Sequence, residues 1–265
     1  MNSLFSFLGL LMLFTFQIYA SDSIVKPGLF YNHYVQDQHV IHVLTIDPKY
    51  FSVELVKAHN QVIGRETVEA IGLRTGAVAA INSGFFEIGN SEDGRPSLTL
   101  MIHGQLFGLR KQLQSLLILD QGNLQITQGT AKISLEVDKT LIIPNQINFF
   151  SNSKDISLYN DVWAPTSLTP YTNREVLIDN NFIVTEVSNH GDNLIPIKGL
   201  VLSFPAARAL PVIKQGDHVK LHLEFIDKDN SPIKLSKTAS IVSGIPLLVQ
   251  DGKSVNKWAY WARDN

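Results

Sequence analysis

The chain has 265 residues, 45% of them hydrophobic and 17% charged, with a formal net charge of −2 and no cysteine. That length buries a substantial core as one domain or two small ones without disulfides or structural metals. The lack of cysteine excludes thiol nucleophiles and Cys-zinc centres, and the scattered basic residues leave no electrostatic footprint for nucleic acid or an anionic membrane surface.

Residues Leu4 to Phe16 form an apolar run too short to cross a bilayer as an ordinary helix, and Ala20 places a small residue just before Ser21. This layout predicts a cleavable signal peptide over residues 1–20, although Met1-Asn2-Ser3 supplies only the α-amino charge to its front. An uncleaved anchor is the alternative. The expected mature protein, residues 21–265, is exported to a periplasm or the extracellular space and free of the membrane once the signal is removed. Its expected class is α+β, predominantly β, with a mixed sheet and a few short helices.

After a short leader, Val40 to Ile46 and Phe51 to Val56 read as a hairpin around Asp47-Pro48-Lys49. Glu66 to Arg74 reads as a helix with Val68 and Ile71 on one side and Gly76 as its stop. Arg74 is placed to cap its C-terminus. Ala77 to Asn82 follows as a buried strand. Further strands are predicted at 97–102, 115–119, 124–127, 132–137, 176–178, 182–187, 200–203, 218–225 and 239–249. Turn pairs such as Gln121-Gly122 and Asp251-Gly252 separate many of them. Pro144 to Pro170 is the longest irregular stretch.

The most informative segment is Ala79 to Phe86, an apolar run ending in a small polar corner and two aromatics. Small residues let a ligand approach the backbone, Asn82 both donates and accepts hydrogen bonds, and Phe85 or Phe86 offers a wall to a sugar ring. On the local pattern alone a tight turn with both Phe side chains in the core is the favoured reading.

Here the sequence resembles the phosphodiester glycosidase family, whose members include the uncovering enzyme that removes N-acetylglucosamine from a mannose-phosphate diester. Asn82-Ser83-Gly84-Phe85-Phe86 matches the family's Asn-Gly-Gly-Phe-Phe strand end with Ser83 in place of the first Gly. Pro96 to Leu106, Ile147-Asn148 with Ile156 to Tyr159, Ile195 to Ser203, Leu210 to Val219 and Val242 to Leu248 resemble further family segments in the same order. The sequence departs from the pattern where Phe149-Phe150 follow Asn148 instead of a nearby Arg, and where Gly244 stands without a second Gly. The family's next parts, a Pro-Arg-Thr-Ala strand and an Asp-Gly-Gly-Gly-Ser corner, are expected beyond Asn265, so the resemblance implies a C-terminally incomplete member with weak or absent turnover.

The resemblance implies an exported hydrolase that frees a sugar from a sugar-1-phosphodiester in envelope or extracellular glycans. The alternative is a non-catalytic, degenerate glycan-binding protein of the same fold. Glycoside hydrolysis uses two carboxyl groups, which makes Glu87 and Asp93 catalytic candidates beside Asn82. Ser83, Gly84, Phe85, Phe86, Arg95, Asn148, Ser243 and Gly244 are substrate-binding candidates, Arg95 for a non-bridging phosphate oxygen and Ser243-Gly244 as backbone donors. Loop carboxylates are ordinarily solvated, and a strand-end turn explains Ser243-Gly244 equally well. No cofactor is expected. No metal site is expected either: His39 and His42 fall on opposite strand faces, His218 and His222 lie on a solvated one, and Asp227 to Asn230 lacks the ligand spacing of a calcium loop. The expected ligand is a carbohydrate or sugar-phosphodiester.

Overall fold

The computed structural model describes residues 21–36, 38–150 and 154–255. The predicted signal peptide lies outside them. The chain divides into two compact units, residues 1–53 and 54–265.

In the first unit three antiparallel strands form a meander: β1 (Ser21–Lys26), β2 (Leu29–Gln36) and β3 (His39–Ile46). Gly28, at φ +81°, makes the first turn, and a Cβ there would lie 2.7 Å from the Tyr50 ring. The sequence reading has β3 right but its partner wrong. Residues 51–56 are not a strand, and β3 pairs instead with β2, in what was read as a leader. Asp47 draws the chain into a turn by accepting from the Tyr50 N–H, and pairing ends there.

The second unit opens with a 3-10 turn (Ala58–Asn60) and the helix α1 (Val68–Thr75). The Thr67 side chain accepts from the Ala70 N–H at the start of α1, and Gly76 at φ +68° closes its end, as a Ser/Thr cap and a left-handed Gly should. The strands follow: β4 (Leu100–Ile102), β5 (Gln105–Gly108), β6 (Gln114–Asp120), β7 (Asn123–Val137), β8 (Thr140–Ile142) and β9 (Gln146–Ile147). Next are β10 (Ser157–Asn160), β11 (Arg174–Ile178), β12 (Val184–Ser188), β13 (Leu200–Phe204) and β14 (Val219–Asp227). The last are β15 (Pro232–Ile233), β16 (Ser240–Gly244), β17 (Val249–Gln250) and β18 (Lys253–Ser254).

Two sheets pack face to face. One runs β12-β11-β13-β10-β9, the other β15-β14-β7-β6-β16-β4-β5 with β8 against β7. The β9–β10 pair is parallel, so the first sheet is mixed. Register shows how the core is divided. Leu158, Leu202 and Val176 align across β10, β13 and β11 and face the sandwich interior with Ile118, Leu135 and Ile241. One residue along, Tyr159, Val201 and Leu177 align on the opposite face and pack with Val62, Phe107, Val162 and Trp163. A sheet covered on both faces has no polar side, which is why these strands read as continuous apolar runs.

Other sequence expectations fail, among them a strand continuing through 245–248, since β16 ends at Gly244. The segments 124–127 and 132–137 are one strand, β7, which passes through Gly129 where a Cβ would lie 2.6 Å from the Ile226 carbonyl oxygen. Pro144 to Pro170 is not irregular throughout, because β9 and β10 lie in it and Tyr159 and Trp163 are fully buried. Residues 77–82 form no strand. They are exposed, Ile81 by 79%, because no described strand lies beside them. Apolar pattern gives the tendency to pair, but only a neighbouring strand completes it.

Candidate functional site

Residues 83–86 meet β4 and β16 in a small cleft. Its walls are Lys57, Ser83, Gly84, Phe85, Phe86, Pro96, Leu98, Thr99, Leu100, Val242 and Ser243, and its volume is about 60 Å³. Gly84 makes this approach possible. It holds φ +68°, and a Cβ on it would lie 3.2 Å from Val242 Cγ2. Phe85 and Phe86 are exposed by 54% and 42%, so they do not enter the core as the turn reading supposed.

The loop after the corner is tied to itself and to the loop before α1. The Ser97 N–H donates to the Phe85 carbonyl, the Glu87 N–H to Arg95 and the Gly94 N–H to Glu87. The Gly64 N–H donates to the Asp93 carbonyl at 2.7 Å. Gly94, at φ +88°, lets the two loops close, since a Cβ on it would lie 2.1 Å from the Gly64 carbonyl oxygen.

The charged candidates are spent on holding these loops. Arg95, its side chain 12% exposed, donates to Glu92 at 3.1 Å and lies 3.5 Å from Glu87 Oε1. It also donates to the Pro96 carbonyl and stacks 4.1 Å above the Phe149 ring. Glu92 in turn accepts from the Phe150 N–H, and Glu87 accepts from the Ser97 hydroxyl at 2.8 Å. Asp93 accepts from the Gly89 N–H at 2.8 Å and from Arg65 at 2.7 Å. Those bonds, the first above all, hold its carboxyl below the ordinary carboxylate range. Arg74 does not cap its own helix. It reaches both Glu66 oxygens and the Lys57 carbonyl, and together with the His59 N–H it lowers the Glu66 carboxyl to about 2.

Two further candidates have other work. Asn148 is fully buried and donates to the Leu106 carbonyl and Asn160 Oδ1 while accepting from the Asn160 N–H, so it joins β5 to β10 and faces no ligand. Ser243 lies two residues after Ile241 in β16, which by strand alternation places its side chain on the core face. Its N–H is spent on the Thr99 carbonyl and is no backbone donor for a ligand, while its buried hydroxyl lines the cleft without a partner. Gly244 has open space where a Cβ would stand, and no close approach requires a glycine there. Asn82, next to Ser83 in the chain, is exposed and is not among the residues that line the cleft.

Sequence reasoning missed Lys57. Its ammonium donates to the Gly64 carbonyl at 2.9 Å and lines the cleft. Burial lowers its pKa to about 8, against the opposing pull of Asp93 and Glu66. An isolated Lys after a β-like run carries no local signal, and only the folding of the 57–66 loop against 93–94 gives it this position.

A depression lined by Glu136, Asp138, Gly216, Asp217, His218 and Lys220 is larger, about 300 Å³, but its lining residues are mostly charged and include no Phe, Tyr or Trp. Among the described residues no group of three or more His, Cys, Asp or Glu side chains is placed to share a metal ion, and no helix is long and apolar enough to cross a membrane.

No protein-family model matches the chain. An uncharacterized protein of Rickettsia conorii is 66% identical over 185 residues, which cover 69% of this chain and 66% of that relative. Two solved structures share the fold. A Burkholderia pseudomallei protein named "Putative exported protein" superposes with a TM-score of 0.63 at 18% identity, over 82% of this chain and 50% of that one. A hypothetical protein from Synechocystis superposes with a TM-score of 0.68 at 16% identity, over 89% and 46%. The chain thus spans just under two thirds of the curated relative and about half of each solved neighbour.

Proposed function

We propose that this is an exported glycosidase of the phosphodiester glycosidase type, which binds a sugar-1-phosphodiester and releases the sugar from its phosphate. The ordered likeness of its segments to that family supports the finer reading of the fold. The observation that carries the functional reading is the cleft itself, where the Ser83–Phe86 corner and the end of β16, far apart in sequence, converge beside two exposed aromatic rings. Exposed rings next to small residues suit a sugar face laid against the chain. In the reaction, water adds hydroxide to the anomeric carbon, the bond from that carbon to the phosphate oxygen breaks, and the remaining proton goes to the phosphate. Glu87, directly after the aromatic pair and 36% exposed at its side chain, is the nearest carboxylate by sequence to activate the water.

A second reading, a glycan-binding protein without turnover, is favoured by one observation: Glu87 and Glu92 have bonds to a hydroxyl or arginine within their own loop, and Asp93 to Arg65 of the loop before α1. The test is free-sugar release from a sugar-1-phosphodiester by the purified chain and by Asn82→Ala. Release that falls at least tenfold in the variant supports the hydrolase. Equal release in both, or none in either, removes it, and retained sugar affinity in the second case leaves the binding protein.

A further inference from the structure

We infer that Lys57 and the backbone N–H groups of residues 83–86 form an oxyanion pocket that takes the phosphate group of the ligand, while the sugar lies outside it on Phe85 and Phe86. This deepens the reading above and rests on it for the sugar part alone.

Four observations carry the inference. The cleft of about 60 Å³ has room for about two water molecules at liquid density, which suits a small anionic group and is less than a pyranose ring fills. The Lys57 ammonium has three donors and spends one on the Gly64 carbonyl, leaving two without a protein acceptor among the described residues. The N–H groups of residues 83–86 donate to no described protein acceptor, these residues line the cleft, and Gly84 bends the chain there in a left-handed conformation. Successive free N–H groups in such a bend make a concavity suited to anions. Finally, Arg95, the cation that the sequence offered for this role, is held by Glu87, Glu92, Phe149 and the Pro96 carbonyl, with only its buried Nε–H unpartnered, and it is not among the residues that line the cleft.

The electrostatic surroundings agree. Lys57, Arg65 and Arg74 face Glu66 and Asp93 across the two loops, and Arg95 faces Glu87 and Glu92 beside them, four cations against four carboxylates, with His59 at the edge. All three arginines are paired with carboxylates, so Lys57 is the cation of this group without an ion pair. An ammonium disfavoured by burial gains from an anionic neighbour, and the proton it holds weakly in the empty pocket is held more tightly once phosphate is bound.

The test uses methyl phosphate and methyl glucoside as separate probes, titrated calorimetrically into the full chain at pH 7 and at pH 8.5. Methyl phosphate is expected to bind with uptake of a fraction of a proton at pH 8.5, read from the dependence of the heat on buffer ionisation enthalpy. Lys57→Met should weaken it at least tenfold without lowering the melting temperature. Lys57→Arg should retain binding and lose the proton uptake, because a guanidinium stays charged. Lys111→Met, at a lysine that donates to the Pro144 carbonyl and does not line the cleft, should bind as the parent does. Equal methyl phosphate affinity in the parent and Lys57→Met overturns the pocket, as does binding of methyl glucoside with no phosphate preference. If the pocket binds phosphate but no phosphodiester is cleaved, the hydrolase reading falls and the pocket stands. If sugar release persists undiminished in Lys57→Met, the reverse holds.

Discussion

Arg95 gives the most direct check on how the site is built, because sequence and structure assign it opposite roles. Arg95→Ala removes an ion pair to Glu92 at 3.1 Å, with both side chains more than four-fifths buried, a second contact to Glu87 at 3.5 Å and a cation–π contact at 4.1 Å from the Phe149 ring. Breaking one side of a buried pair costs about 3–5 kcal/mol because the remaining charge is left unpaired, and the ring contact adds about 0.5–2 kcal/mol. Some of this overlaps, since the same guanidinium makes all three contacts, so the expected loss is about 4 kcal/mol. For a chain of this size that corresponds to a fall in melting temperature of roughly 8–16 °C. The assay is urea and thermal unfolding of Arg95→Ala, Glu92→Gln and the double variant. A coupling energy of about 1–3 kcal/mol in the cycle is expected. A stability loss under about 1 kcal/mol, combined with a tenfold loss of methyl phosphate affinity, would show that Arg95 serves the ligand and that the loop is held by other bonds.

Other perturbations test neighbouring parts of the argument. Gly94→Ala forces an L side chain into φ +88° and against the Gly64 carbonyl, so a loss of about 3 kcal/mol or more is expected in urea unfolding, and an unchanged midpoint would mean that the two loops do not touch. Ile241→Ala, fully buried between the sheets, should lose about 2–5 kcal/mol in the same assay. Glu175 is fully buried and accepts from the Thr169 hydroxyl and from both the backbone and side-chain N–H groups of Asn193, so Glu175→Ala should lower stability by about 2–4 kcal/mol through the unpaired donors it leaves. The pH dependence has two arms. Glu66, held at about 2 when folded against 4.5 otherwise, contributes stability that is present above pH 4.5 and lost as pH falls toward 2, so Glu66→Gln should flatten that part of the acid melting curve. Lys57 acts in the opposite sense. Its folded value near 8 against 10.5 means that the unfolded chain binds the proton more tightly, so the chain gains stability as pH rises from 8 to 10.5 and Lys57→Met should remove that rise.

The local features of the chain were legible because short-range chemistry decides them. Thr67 and Gly76 bound α1 through their own capping bonds, and Gln121 and Gly122 take the positive φ values of a tight hairpin turn between β6 and β7. The runs at 176–178 and 200–203 are strands as predicted, and His222 on β14 and His218 just before it are exposed as their alternation required. Pairing was not legible, because a strand's partner is chosen by residues distant in sequence. The same apolar pattern is a paired strand at 41–46 and unpaired chain at 77–82, and the difference lies wholly in what stands alongside. For the site, the sequence by itself determined the corner: small residues and two aromatics at 82–86 that could meet a ligand. Which charges serve that corner was decided by tertiary structure, since an ion pair depends on distance and burial. Folding drew Arg95 and Asp93 into loop bonds, turned Ser243 toward the core and brought Lys57, which carried no sign of its own, to the wall of the cleft.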